Sequence, residues 1–127
     1  VSDARLIAIS RAFGDIECKL PQFGGKPKVV IAEPEIRHFK IDKESHSFLL
    51  IASDGIFDVM DEKEIGRIVW NTFKREAKEG VSISAVTIDK LVQKASENVI
   101  KKALMKGSTD NVSVLIILFE KAINFLN

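Results

Sequence analysis

Two runs of consecutive apolar residues, Phe48–Ala52 and Val114–Phe119, constrain this chain most. A strand with one wet face alternates apolar and polar residues. A run that is apolar at every position reads instead as a strand covered on both faces. The first run stops at Ser53-Asp54-Gly55, a turn signal, and the second extends back to Val112 after Gly107-Ser108-Thr109-Asp110. Both fall far short of the roughly 20 apolar residues of a membrane-spanning helix. No basic start followed by an apolar stretch marks a signal peptide.

Between the two runs the periodicity changes from strand to helix. Ile65, Ile68, Val69, Phe73 and Ala77 form one amphipathic stripe. Asp61, with Glu64 three residues on, resembles a capping box, and Gly80 is the expected stop. A second stripe runs through Ile88, Leu91, Val92, Ala95 and Val99, starting near Ser84 or Thr87 and ending by Gly107. Lys121–Asn127 reads as a tail.

The N-terminal part reads as strands and a loop. Leu6–Ile9 and Val29-Val30-Ile31 are short apolar runs, and the alternation from Ile36 to Ile41 predicts a partly exposed strand. Pro21, Gly24, Gly25 and Pro27 make Ile16–Pro27 a loop. Strands first and two amphipathic helices afterwards predict an α+β fold, with helices on one face of a sheet. At 127 residues the chain suffices for one domain. It opens at Val1 and runs directly into the ordered-looking Ala4–Ile9, so it is expected to be a piece of a longer protein.

Charge and cysteine usage exclude several functions. Lys+Arg number 19 and Asp+Glu 18, a net +1 that gives no strong field for a nucleic-acid backbone or an anionic membrane surface. Cys18 stands alone, so the chain has no internal disulfide and no multi-thiolate metal site. A reducing compartment, cytoplasmic or nuclear, is compatible with this.

The chemistry-bearing residues stand at the ends of the two apolar runs. If these strands are antiparallel neighbours, Asp54 at the end of one and Asp110 before the start of the other meet in space. Two carboxylates forced together need a cation or a shared proton. Hard oxygen ligands suit Mg²⁺ or Mn²⁺ better than zinc. Asp58 returns toward the same region if the chain turns at Gly55. Asp-Gly is also an ordinary turn dipeptide, and spacing alone leaves both readings open.

Three segments together resemble the protein phosphatase 2C family: Leu6–Asp15 (LIAISRAFGD), Ala52–Met60 (ASDGIFDVM) and Lys106–Val114 (KGSTDNVSV). They stand in the family's order and with similar spacing, Glu33-Pro34-Glu35 between the first two also fits, and the resemblance covers nearly the whole chain. It implies the C-terminal portion of a catalytic domain built as an αββα sandwich, two antiparallel sheets flanked by helices. It also implies a metal-dependent protein serine/threonine phosphatase. In such enzymes an Mg²⁺ or Mn²⁺ centre activates a hydroxide that attacks the phosphorus of phosphoserine or phosphothreonine in protein substrates. By motif match, Asp54 and Asp110 correspond to metal ligands, and Asp58 to a third, weaker metal position. Phe57 replaces the family's usual Trp.

The family's N-terminal half carries an Asp-Gly-His-Gly-Gly motif, a phosphate-binding Arg and an early acidic pair, and none has a counterpart in this sequence. The missing N-terminal half of the same domain is therefore an expected partner, and the isolated chain is expected to be inactive. The alternative is a phosphatase-like module that has lost catalysis and serves as a binding scaffold. Retention of both Asp54 and Asp110 favours the enzyme. His38 and His46 lack partners at ligand spacing, Arg11 and Asp15 read as structural, and Cys18, with only Lys19 as a neighbouring cation, does not read as a reactive thiol. Trp70 and Phe73 read as core contacts, and Lys74, Arg75, Lys78, Lys101, Lys102 and Lys106 as cations complementing helix C-termini.

Overall fold

The computed structural model describes residues 8–77 and 85–126. The chain divides into two compact units, residues 1–40 and 41–127.

Among the described residues of the first unit the chain makes one isolated parallel bridge, Arg11 with Ile31, rather than strands. The Ala12 amide donates to the Ile31 carbonyl at 2.9 Å, and the Ile31 amide to that of Ser10 at 3.0 Å. The Arg11 guanidinium donates to the carbonyl of Glu33, so Arg11 is structural, as its place in the sequence predicts. The strands expected at 29–31 and 36–41 do not form: Val29 and Val30 lie in a turn and a bend, so only Ile31 pairs, and no neighbour among the described residues takes up the backbone hydrogen bonds of 36–41. The expected strand at Leu6–Ile9 falls mostly outside the described residues, and Ala8 and Ile9 are irregular. Ile16–Pro27 is more ordered than a loop: it contains α1 (Ile16–Lys19) and a 3₁₀ turn (Pro21–Phe23). Cys18 lies in α1. The Lys19 ammonium donates to the Ala12 carbonyl.

The second unit is α+β. Its order is β1 (Phe48–Ala52), α2 (Asp54–Phe57), α3 (Glu62–Glu76), α4 (Ala85–Met105), β2 (Val114–Leu118) and α5 (Glu120–Leu126). β1 and β2 pair antiparallel, with Phe48 opposite Leu118 and Ala52 opposite Val114. Side chains alternate between sheet faces, so Phe48, Leu50 and Ala52 share a face with Val114, Ile116 and Leu118. That face packs on the helices, in a core of Ile56, Met60, Ile65, Val69, Phe73, Leu91, Ala95, Val99 and Ala103. The opposite face is not covered: Ile51, Leu115 and Ile117 are 53%, 55% and 43% exposed. The expectation of a strand covered on both faces is corrected here, because the described residues supply one helical layer only.

Both long helices follow their apolar stripes. The Asp61 side chain accepts from the Glu64 amide at 2.7 Å and caps α3, as the sequence predicts. The Glu64 carboxylate does not return to Asp61. It pairs with Lys106, joining the first turn of α3 to the end of α4. α3 ends with Ala77 as its C-cap; the expected stop at Gly80 lies outside the described residues, and of the two expected starts of the second helix Ser84 does too, while Thr87 falls within α4. Gly107 takes a left-handed conformation (φ +86) beyond α4, where its amide reaches Leu104 and that of Ser108 reaches Ala103. This closes the helix carbonyls as a C-terminal glycine does. The expected tail is instead the helix α5, whose Ala122 is buried.

Candidate metal site at the end of the two strands

The antiparallel register sets the site. β1 leaves the sheet at Ala52, directly opposite Val114 where β2 begins, so the two flanking loops emerge together. Pairing continues one step further through backbone and side chain together. The Ser53 amide donates to the Ser113 carbonyl at 3.0 Å. The Ser53 hydroxyl donates to the Asn111 carbonyl at 2.8 Å and accepts from the Ser113 amide at 3.0 Å.

α2 then turns the chain immediately, with Ser53 as its N-cap and Asp54 as its first residue. A second clamp closes the other side, where the Ser108 hydroxyl donates to the Gly55 carbonyl at 2.6 Å. The two loops approach so closely that a Cβ at Gly55 would lie 2.6 Å from the Asn111 carbonyl oxygen and 3.3 Å from the Asp110 Cβ. Asp110 therefore sits against the residue that follows Asp54. Asp58 is one turn on: it caps α2, its amide donating to the Asp54 carbonyl at 2.8 Å.

The two carboxylates are held alike. Asp54 Oδ1 accepts from the Gly55 amide at 2.9 Å, and Asp110 Oδ1 from the Asn111 amide at 2.6 Å. Each leaves its second oxygen without a hydrogen bond, and no lysine or arginine pairs with Asp54, Asp58 or Asp110 among the described residues. All three are exposed. The donor set is oxygen only and carries no compensating cation, which fits a hard divalent ion and not a soft one. It is also sparse: among the described residues no group of three or more His, Cys, Asp or Glu is arranged to hold a metal.

Sequence reasoning read Ser53-Asp54-Gly55 as a turn but did not foresee that Ser53, Gly55 and Ser108 hold the loops together. The signal was present as small residues flanking each aspartate, but only the register shows which hydroxyl meets which carbonyl. The histidines behave as expected of surface residues: His46 Nδ1 accepts from the Asp42 amide in an exposed turn.

Comparison with known proteins identifies the family. The family described as Protein phosphatase 2C matches residues 4–112. Protein phosphatase 1A of Homo sapiens is 32% identical over 117 residues, covering 91% of this chain and 27% of that protein. Probable protein phosphatase 2C 72 of Arabidopsis thaliana is 31% identical over 114 residues, 90% of this chain and 29% of its own length. The Caenorhabditis elegans protein phosphatase ppm-1.A is 30% identical over 91% of this chain and 22% of its own. The chain thus spans about a quarter of the length of these relatives. With the family match extending over most of its residues, this chain belongs to the protein phosphatase 2C family.

Proposed function

We propose that this chain is the C-terminal part of the catalytic domain of a metal-dependent protein serine/threonine phosphatase. In this reading Asp54 and Asp110 hold Mg²⁺ or Mn²⁺, and Asp58 lends a carboxylate to a weaker position one turn away. The observation that carries it is the seating of the Asp110 loop on Gly55, with neither aspartate matched by a protein cation. A bound divalent ion would supply activation of water and neutralisation of charge building on the phosphoryl oxygens.

The chain's own residues have a positioning task. The Gly55 and Asn111 amides fix one oxygen of each carboxylate and leave the other directed by the turn geometry alone. The serine clamps hold the two loops against one another. The residues that bridge the metals, protonate the leaving group and grip phosphate in the family belong to motifs outside this sequence. In the proposed αββα sandwich the second sheet covers the apolar face of β1 and β2. The substrates that follow from this reading are phosphoserine and phosphothreonine proteins, and an intracellular compartment accords with that substrate class.

The test is turnover of a phosphoserine protein in Mn²⁺ by the full-length protein that carries this chain. Asp54→Ala and Asp110→Ala should each reduce kcat/KM by roughly a hundredfold or more, the scale of losing an electrostatic catalytic group. Unchanged turnover in both variants at limiting Mn²⁺ would refute the site. An inactive parent protein would favour the scaffold reading.

A further inference from the structure

At the opposite end of β1 from the aspartates, an open cleft of about 430 Å³ lies between α3 and the start of the strand. Its walls are mostly apolar and include Phe48, Gly66 and Trp70, with Lys63, Arg67 and Asn71 at the rim. We propose that this cleft docks a peptide segment of a protein partner, one apolar side chain flanked by acidic residues. Three observations support it, and none depends on the phosphatase reading.

The first is Gly66. It stands inside a helix, where glycine is unfavourable, yet its backbone is not left-handed and a Cβ there would meet nothing within 4 Å. Neither packing nor turn geometry calls for glycine at this position. Its consequence is an open floor in the cleft, and a larger side chain would fill it.

The second is charge. Lys63 and Arg67 are one helical turn apart, an arrangement of like charges that weakens a helix. Neither forms an ion pair among the described residues, and no acidic side chain lines the cleft. Glu64, the acid next to Lys63 on its C-terminal side, is engaged by Lys106. The rim therefore presents two uncompensated cations beside an apolar hollow, which complements acidic residues around an apolar anchor.

The third is a fixed wall. The Trp70 ring packs against Phe125 at 5.2 Å and Phe73 at 6.3 Å, with the Lys74 ammonium 5.9 Å from its centroid. A ring held on several sides loses little freedom when a ligand arrives, so binding energy is retained.

The probe is a fluorescein-labelled peptide with one leucine between glutamates, titrated into the protein that carries this chain and read by fluorescence anisotropy. Saturable binding is expected, weakened about tenfold by Gly66→Leu and at least as much by the Lys63→Glu, Arg67→Glu double variant. Both rim residues are exposed, so the double variant keeps its fold and remains an independent test should Gly66→Leu melt early. Replacing the peptide's leucine by glycine should abolish binding, and raising salt should weaken it. Equal binding by wild type and the double variant would overturn the proposal, as would equal affinity of the glycine peptide. Concentration-dependent dimerisation that Gly66→Leu abolishes would assign the cleft to a second copy and overturn it too.

Discussion

An alanine methyl at Gly55 would stand 2.6 Å from the Asn111 carbonyl oxygen, closer than any relaxed contact permits. The obstacle is backbone, so the Asp110 loop itself must move. Gly55→Ala should cost about 1–3 kcal/mol, the usual scale of overpacking, and should weaken Mn²⁺ binding as the loop withdraws; thermal melting and Mn²⁺ titration check the pair. Asp110→Ala should behave oppositely in stability. It removes one of two uncompensated carboxylates, so the melting temperature in metal-free buffer should stay level or rise while activity falls. A large drop in melting temperature would mean that Asp110 supports the fold rather than an ion. At this scale the sequence singled out Asp54 and Asp110 through the three motifs, and the turn expected at Asp54-Gly55 forms as α2. The clamps of Ser53 and Ser108 were not legible, because each joins residues far apart along the chain whose contact exists only once β1 and β2 have chosen their register.

The helices were the most legible elements because their information is local. α3 is written in Asp61 as cap and in Ile65, Val69 and Phe73 as buried stripe, all within four turns. Phe73, fully buried and edge-on to Phe48 at 6.1 Å, should cost about 3–5 kcal/mol when changed to alanine, measurable by urea unfolding. Gly66→Ala should do the reverse. It removes the penalty of a helical glycine without a clash, so α3 should gain about 0.5–1 kcal/mol in the same assay. Strands were legible only where a partner exists. Phe48–Ala52 and Val114–Leu118 satisfy one another, whereas the short apolar run at 29–31 and the alternating segment at 36–41 have no ladder. α5 escaped notice because its seven residues are too few to display a periodic stripe.

The molecule as a whole is uneven in what it buries. One face of the two-stranded sheet is sealed by α3 and α4, and the other presents Ile51, Leu115 and Ile117 to solvent. A contiguous apolar strand surface of this kind is a predicted association site. The continuous apolar runs do form paired strands, but only one of their faces is covered by the described residues. The purified 127-residue chain should therefore self-associate, and Ile117→Lys should reduce that association in sedimentation experiments. The same chain should leave phosphoprotein substrates intact in Mn²⁺, because it has neither the family's bridging carboxylate nor its proton donor. Metal-dependent turnover by the isolated chain, abolished by Asp110→Ala, would contradict the proposal that the domain is shared with a second half.

The most direct measurement is anomalous diffraction at the manganese edge from crystals of the full-length protein grown with Mn²⁺. The account predicts a peak with an Asp54 and an Asp110 carboxylate oxygen each at roughly 2.1 Å, as hard-cation coordination requires. Manganese bound elsewhere in the domain, with none between these two aspartates, would contradict it.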